Sequence, residues 1–445
     1  MRRSSRFDLV HRERDAWGDQ PVTHYPLSCD LTMPQYRVLV FSHAGGSPYH
    51  GPNMRWYYLG RALQAWNVSV DIVSSSSFHK YFTPPSVSKA FSHERIDGVG
   101  YHWVRTRAYS GRGLAQVRNQ LEYVAGCYSQ LNGLARKQWD VVVASSPHPF
   151  CVYPAASLAR RTSSRLVYEV RDLWPDVLLQ LGRFSSRHPY VRALRWAEVF
   201  AVRHADKIVS VKQGDYAHFE ERYALPHDRF VWVPNGFLPD GSVSPAPPSL
   251  VHIRSQHKHL VGYVGALSSY YELDGLLELA TRFRGDDDVA FVVVGKGDRE
   301  AVLRTWAQEQ RLKNVYFMGP VPRTAVPTCL ELFDVCYVGL RDLPLHRFGV
   351  SCNKIYEYMH AGKPILACYN VGFDPVAEAG CGIVRPPSDI DGLADGLRRL
   401  LTDDELRAMM GVRGREYFDR YHDFAKVAGR FYSHVVDNDP ARTNE

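Results

Sequence analysis

Nowhere in the 445 residues does an apolar run reach the roughly 18 residues that a membrane-spanning helix needs. The N-terminus is arginine-rich but has no apolar core segment, which argues against a secretory signal. Cysteine is sparse: Cys29, Cys127, Cys151, Cys329, Cys336, Cys352, Cys368 and Cys381 are scattered, and no two form a C-x-x-C pair. A disulfide scaffold does not fit a chain of this size, and buried free thiols in a reducing cytoplasm do. No His/Cys cluster has zinc spacing, and no P-loop, G-x-S-x-G, low-complexity tract or short repeat is present. Excess charge is also scarce. A net +7 points to anionic partners such as nucleotides, lipid diphosphates or a membrane surface, and nucleic acid is not expected.

Apolar and charged fractions of 45% and 23% are those of a globular protein, and the length suggests two domains of roughly 200 residues each. Residues 1–35 show no sustained periodicity and read as an N-terminal extension. From Tyr36 apolar strands alternate with helices: strands at Arg37–Phe41, Val68–Val73, Val141–Ala144, Leu166–Val170, Lys207–Val211 and Phe230–Val233. Such alternation predicts a parallel sheet covered on both faces, here a first Rossmann-like domain over 36–236. A Pro/Ser-rich linker over 237–257 breaks the pattern. A second alternating series over 258–414 predicts a second Rossmann-like domain, and a C-terminal helix over 415–436 is expected to cross back to the first. The fold class is therefore α/β, two doubly wound domains facing across a cleft. Ligands then belong outside the carboxyl ends of the strands.

The densest chemistry lies in Phe348-Gly349-Val350-Ser351-Cys352-Asn353-Lys354-Ile355-Tyr356-Glu357, followed by Gly362-Lys363-Pro364 and a buried strand. A glycine turn leads into a helix whose start carries Asn353 and Lys354, with Glu357 three residues on along the same face. A lysine at a helix start suits a phosphate, and a carboxylate one turn further suits sugar hydroxyls. The same two residues could equally be a solvated surface pair, worth a few tenths of a kcal/mol.

Together with Ser145-Ser146-Pro147-His148-Pro149-Phe150, Tyr168-Glu169-Val170-Arg171-Asp172-Leu173-Trp174-Pro175 and Asp374–Gly382, this stretch resembles bacterial family 4 glycosyltransferases of the capsule, exopolysaccharide and O-antigen branch. The resemblance covers about residues 36–436. It implies a GT-B fold and metal-independent, retaining transfer from a nucleotide sugar, UDP being the usual base. The nucleotide sugar is a substrate, and no cofactor is implied. By resemblance His148 contacts the donor sugar as the catalytic histidine, Gly45-Gly46 lies beside the diphosphate, Lys354 neutralises the diphosphate and Glu357 binds the ribose. Arg171 and Asp172 are candidates for acceptor or sugar contacts, with Asp172 equally a helix cap. The implied acceptor is a glycan or polyprenyl-diphosphate-linked sugar.

The chain departs from the family in two ways. Many members carry a second glutamate ahead of the helix; its place here falls on Gly349 or His346, depending on the alignment. The usual Arg and Lys after the first strand of the second domain are replaced by Gly265-Ala266-Leu267-Ser268-Ser269. Diphosphate binding would then lean on Lys354, with Lys296 or Arg347. Asp286-Asp287-Asp288 has a D-x-D spacing but precedes a strand, the wrong side of a sheet for a ligand, and reads as a solvated turn. Phe78–Phe82 and Arg192, Arg195, Trp196 and Arg203 gather basic and aromatic residues that suit peripheral contact with the inner face of the cytoplasmic membrane. Two other readings stay open: a sugar-nucleotide epimerase on the same scaffold, and a degenerate module that binds nucleotide sugar and regulates a partner.

Overall fold

Strands buried on both faces arise from near-continuous apolar runs, of which Val289–Val294 (VAFVVV), buried at every position, is the plainest. A computed structural model describes residues 35–437 apart from Pro52, Ser110, Arg112, Arg183 and 238–242. The N-terminal extension up to residue 34 and part of the linker lie outside the described residues.

In the first half β1 (Tyr36–Ser42), β2 (Val68–Ser75), β3 (Phe91–Ile96), β4 (Val99–Val104), β5 (Val141–Ser145), β6 (Arg165–Val170), β7 (Lys207–Ser210) and β8 (Phe230–Trp232) form one sheet. Its order is β3-β4-β2-β1-β5-β6-β7-β8. Every pairing is parallel except the β3–β4 hairpin at the edge. Neither hairpin strand is legible as part of the alternating series. The middle of β3 turns His93, Glu94 and Arg95 to solvent, so its apolar run is broken. The local signal is the turn instead: Asp97-Gly98, at φ +48° and +84°, is a hairpin dipeptide.

Helices α1 (Arg55–Leu63), α2 (Leu114–Leu134), α3 (Val152–Thr162), α4 (Asp176–Gln180), α5 (Pro189–His204) and α6 (Asp215–Tyr223) cover this sheet. One face buries Leu39, Phe41, Tyr123, Trp139 and Leu158, the other Val38, Val40, Trp56, Leu59 and Trp103.

The second half is built from β9 (His259–Val264), β10 (Val289–Val294), β11 (Val315–Gly319), β12 (Val335–Gly339), β13 (Ile365–Cys368) and β14 (Gly382–Arg385), all parallel, in the order β11-β10-β9-β12-β13-β14. Its helices are α7 (Pro248–Gln256), α8 (Asp274–Thr281), α9 (Glu300–Glu309), α10 (Val326–Glu331), α11 (Asn353–His360), α12 (Pro375–Ala379) and α13 (Ile390–Thr402). Helix α7 falls inside the stretch read as linker, because Leu250 and Ile253 bury against the second sheet.

The described residues close with α14 (Asp404–Tyr421), α15 (Phe424–Phe431) and a π-helical turn over Tyr432–Val436. His422 and Asp423 break what the aromatic spacing suggests as one helix, and Asp423 caps the new one by accepting from the Ala425 amide. Phe424, Val427 and Phe431 of α15 bury in the core of the first half beside Trp56 and Leu59. A fully buried phenylalanine of this kind contributes about 1.5–3 kcal/mol, so α15 ties the second half back to the first. No helix among the described residues is long and apolar enough to cross a membrane.

Candidate functional site

Each sheet reverses its strand order once, between β1 and β5 and between β9 and β12, and the crevices at such reversals are where ligands bind. The loops leaving the carboxyl ends of both sheets line one cavity of about 690 Å³.

Its floor is the start of α11. Gly349, at φ +93°, ends a 3₁₀ turn over Pro344–Phe348 and donates its amide to the His346 carbonyl. A side chain there would be strained, so glycine is what lets the chain swing into the helix. Cys352, the N-cap residue, offers no side-chain cap, which leaves the first amides of α11 open toward the cavity beside exposed Asn353.

Lys354 is 7% exposed, and its Nζ donates to the Tyr263 hydroxyl (2.7 Å) while lying 3.3 Å from the centre of the Tyr271 ring. Among the described residues no carboxylate pairs with it; burial therefore pulls its ammonium down to about 7, with Cys352 and Glu357 opposing. Glu357 Oε1 accepts instead from Arg323 Nη2 at 2.8 Å. Arg323 stands just after β11 with its guanidinium 5.6 Å from the Phe237 ring. Lys296, after β10, is exposed and lines the same cavity.

The first half supplies the opposite wall. Arg171 and Asp172 follow β6, and the Arg171 amide donates to Ser146 Oγ (2.8 Å). Asp172 does not cap a helix, because α4 starts only at Asp176, after a cis Trp174–Pro175 bond. Its carboxyl faces the cavity; desolvation between the walls raises it, against Lys212 and Arg171. Lys212, after β7, reaches Asp215 Oδ1 at 2.9 Å and joins the lining. On the second-half side, His346, which occupies one alternative place of the absent glutamate, also lines the cavity, with Nε2 3.2 Å from the Tyr270 hydroxyl. Burial, and then Lys212, lowers its imidazole to about 4.

Four residues expected at the site stand elsewhere. His148 is 1% exposed and does not line the cavity; it lies in the β1/β5 crevice, 4.7 Å from the His43 ring, and neither of its nitrogens has a partner. Burial and the neighbouring His43 hold its imidazole well below the ordinary range. Gly45 and Gly46 do not line the cavity either, and their amides are already used: Gly45 donates to Ser42 (3.1 Å) and Gly46 to Asn53 (3.4 Å). Their carbonyls accept from the Tyr81 and Tyr101 hydroxyls respectively. Arg347 points outward to Glu221 (3.1 Å), because the turn that carries it seats Phe348 in the first-half core. On α5, Arg195 likewise leaves the basic face that its spacing suggests, pairing with Asp176 and Glu198, while Arg192, Trp196 and Arg203 stay exposed.

The residues that spacing did not single out, Arg323, Lys212, Tyr263, Tyr270 and Tyr271, all lie at or just beyond a strand's carboxyl end. That position, combined with residue type, was the available signal.

Behind the cavity a buried polar network inside the first half leads, through Asn235, to the start of α11. Arg55 Nε donates to Glu169 Oε1 (2.9 Å), and its other nitrogens donate to the Pro234 (2.6 Å) and Val233 (2.8 Å) carbonyls. Asn235 Nδ2 donates to Ser351 Oγ (3.0 Å), just ahead of α11. The Asn235 carbonyl accepts from His422 Nδ1 (2.7 Å), whose ring stacks on Tyr356 of α11 at 3.7 Å. No three His, Cys, Asp or Glu side chains converge as a metal site would require, among the described residues.

Comparison with known proteins agrees with this layout. Residues 50–236 match the Glycosyl transferase 4-like domain and residues 251–417 the Glycosyl transferases group 1. The chain is 25% identical over 251 residues to an alpha-D-kanosaminyltransferase of Streptomyces kanamyceticus, covering 53% of this chain and 63% of that protein. It is 29% identical over 163 residues to the O-antigen chain mannosyltransferase C of Escherichia coli, covering 35% of this chain and 41% of that protein. The aligned segments thus span about half the length of these relatives. Among solved structures, Anabaena Alr3699/HepE in complex with UDP and glucose superposes with a TM-score of 0.61 at 16% identity, covering 90% of this chain and 99% of that one. That likeness is one of fold: two doubly wound halves in the GT-B arrangement.

Proposed function

The chain belongs to the glycosyl transferases of group 1, and on that premise we propose that it moves a sugar from a nucleoside-diphosphate donor to a glycan or lipid-linked acceptor. The observation that carries this reading is Lys354: a buried amine with no carboxylate partner among the described residues, at the uncapped start of α11, open to a cavity that also holds Glu357. A diphosphate supplies the missing counter-charge, and the open amides of α11 add to it. Arg323 fixes the Glu357 carboxylate, leaving its remaining lone pairs for ribose hydroxyls. UDP is the base favoured here, in keeping with the UDP of the HepE complex.

Transfer proceeds with retention and without a metal in this proposal. The bond from the anomeric carbon to the diphosphate oxygen breaks, and the acceptor oxygen bonds to that carbon on the same face. The acceptor's proton passes to the departing diphosphate. Lys354 stabilises the charge gained by the leaving group. Asp172 and Arg171 hold the sugar or acceptor from the opposite wall. For His148 to serve at the sugar, the β1/β5 crevice must open to the cleft; its unpartnered nitrogens are what a sugar hydroxyl would satisfy. The acceptor is placed in surface polysaccharide assembly at the inner membrane face, a reading supported by exposed Arg192, Trp196 and Arg203 on α5.

The test is calorimetric titration with UDP and GDP of the parent, Lys354→Ala and Glu357→Ala proteins. Micromolar binding of one nucleotide that both variants lose is the expected result. Failure of both nucleotides to bind the folded parent would overturn the donor site.

A further inference from the structure

The polar surroundings of Lys354 are those of a stored amine. The Tyr263 hydroxyl, 2.7 Å from Nζ, donates its own proton to the Ala266 carbonyl (2.7 Å), so the oxygen it turns to Lys354 accepts. The Tyr271 ring centre lies 3.3 Å from Nζ and the Tyr263 ring centre 4.1 Å. The loop after β9 is shaped round the same atom: at Gly265, φ +149°, a Cβ would come within 2.9 Å of Nζ. Aromatic faces and a neutral hydroxyl attract an ammonium but do not replace its hydration shell as a carboxylate would.

The titratable groups around it come from every packed element. Helix α11 offers Cys352, whose thiol burial pushes up to about 11, and Glu357, which is engaged by Arg323. Strand β9 and its loop offer Tyr263, Tyr270 and Tyr271, all raised by burial and therefore neutral. Lys296 follows β10, His346 sits in the turn ahead of α11, and Asp172 and Lys212 line the cavity from the first half. With burial lowering Lys354 to about 7, a substantial share of the empty protein holds an uncharged amine in neutral solution.

We propose that Tyr263 and Tyr271 cage Lys354 in the empty cleft and that the nucleoside diphosphate is bound together with one proton from solvent, taken up by the Lys354 amine. This rests on the donor-site reading above. The amine lone pair takes the proton, no bond of the nucleotide changes, and the diphosphate becomes the counter-ion that the cage lacks. Tyr263 and Tyr271 are positioning residues, since they touch Lys354 and not the reacting atoms. Affinity must then fall about tenfold per pH unit above neutrality, where the empty protein has lost the proton and the complex keeps it.

Titration calorimetry of the full chain with UDP-glucose and GDP-mannose tests this, because their diphosphate diesters do not themselves titrate near neutrality. Runs in pairs of buffers with different ionisation enthalpies count the linked protons. Uptake close to one proton at about pH 8.5, falling toward zero at about pH 5.5, is the expected result. Lys354→Arg, which stays charged, should lose the linkage, and Tyr263→Phe should move its onset to lower pH by removing the accepting oxygen. Binding by the parent at about pH 8.5 without proton uptake would overturn the inference alone, as would full uptake persisting in Lys354→Arg. If neither nucleotide sugar binds, the donor-site reading fails first and the inference with it.

Discussion

Replacing Arg55 by alanine should both destabilise the fold and weaken the donor site, for reasons that can be worked from the contacts. Arg55 and Glu169 are a buried pair, their side chains 3% and 0% exposed. The Glu169 carboxylate also accepts from Trp56 Nε1 (2.7 Å) and Ser145 Oγ (2.5 Å). Burial pushes this carboxyl up, but Arg55, Ser145 and Arg171 together hold it below its ordinary value. Removing Arg55 strands a charge in the core and orphans the Val233 and Pro234 carbonyls. Truncating one member of such a pair costs about 3–5 kcal/mol, a large part of a typical stability of about 5–15 kcal/mol. Urea unfolding followed by tryptophan fluorescence and circular dichroism reads this as a shift of the first transition. The double variant Arg55→Met/Glu169→Gln should recover part of the loss, since no charge is then left buried. Because Arg55 also holds the segment from which Asn235 reaches Ser351, nucleotide affinity should fall under conditions where Arg55→Ala is still folded. A loss below about 1 kcal/mol would refute the burial argument, and unchanged affinity would refute the link to α11.

Acid should destabilise the protein before most carboxylates titrate. Burial lowers His43 to about 4, His346 to about 4 and His422 to about 3, so the stability tied to their neutral forms is complete above about pH 6.5 and drains as pH falls toward those values. Each contributes about 1.4 kcal/mol per pH unit in that window, and urea midpoints that stay flat between about pH 7 and pH 5 would contradict the assignment. Arg323→Ala removes a half-exposed partner of Glu357 and should change stability by under about 1 kcal/mol while lowering nucleotide affinity several-fold. Calorimetry beside thermal melts separates the two, and an unchanged affinity would remove Arg323 from the site. Trp196→Ala with Arg192→Glu and Arg203→Glu should cut co-sedimentation with anionic vesicles, each basic residue being worth about 1 kcal/mol near such a surface. Equal sedimentation of parent and variant would discard α5 as the membrane face.

Glutamate 357 and lysine 354 illustrate what local sequence conveys. Their spacing, the Gly349 turn before them and the buried strand after Gly362-Lys363-Pro364 are all set within about twenty residues, so the helix and the residues at its start could be read directly. The parallel strands were legible for a similar reason, since both faces are buried and the apolar run is unbroken. The β3–β4 hairpin was not, because the edge strand β3 exposes His93, Glu94 and Arg95 in succession and Gly100 and His102 interrupt the apolar run of buried β4; only the Asp97-Gly98 turn betrays it.

What surrounds Lys354 belongs to a different level. Tyr271, Arg323 and Lys212 come from the loops after β9, β11 and β7, and only the strand order of two sheets brings them to one cavity, with Tyr263 of β9 behind Lys354. The same holds for the residues that left the site. His148 follows a strand as its motif suggests, yet the β1/β5 crevice closes over it, and Arg347 is turned away by the burial of Phe348. Sequence alone determined the alternation of strands and helices, hence two doubly wound halves, and the residue types at the start of α11. Tertiary structure decided which charges are buried without partners, because burial and pairing depend on contacts between residues far apart in the chain.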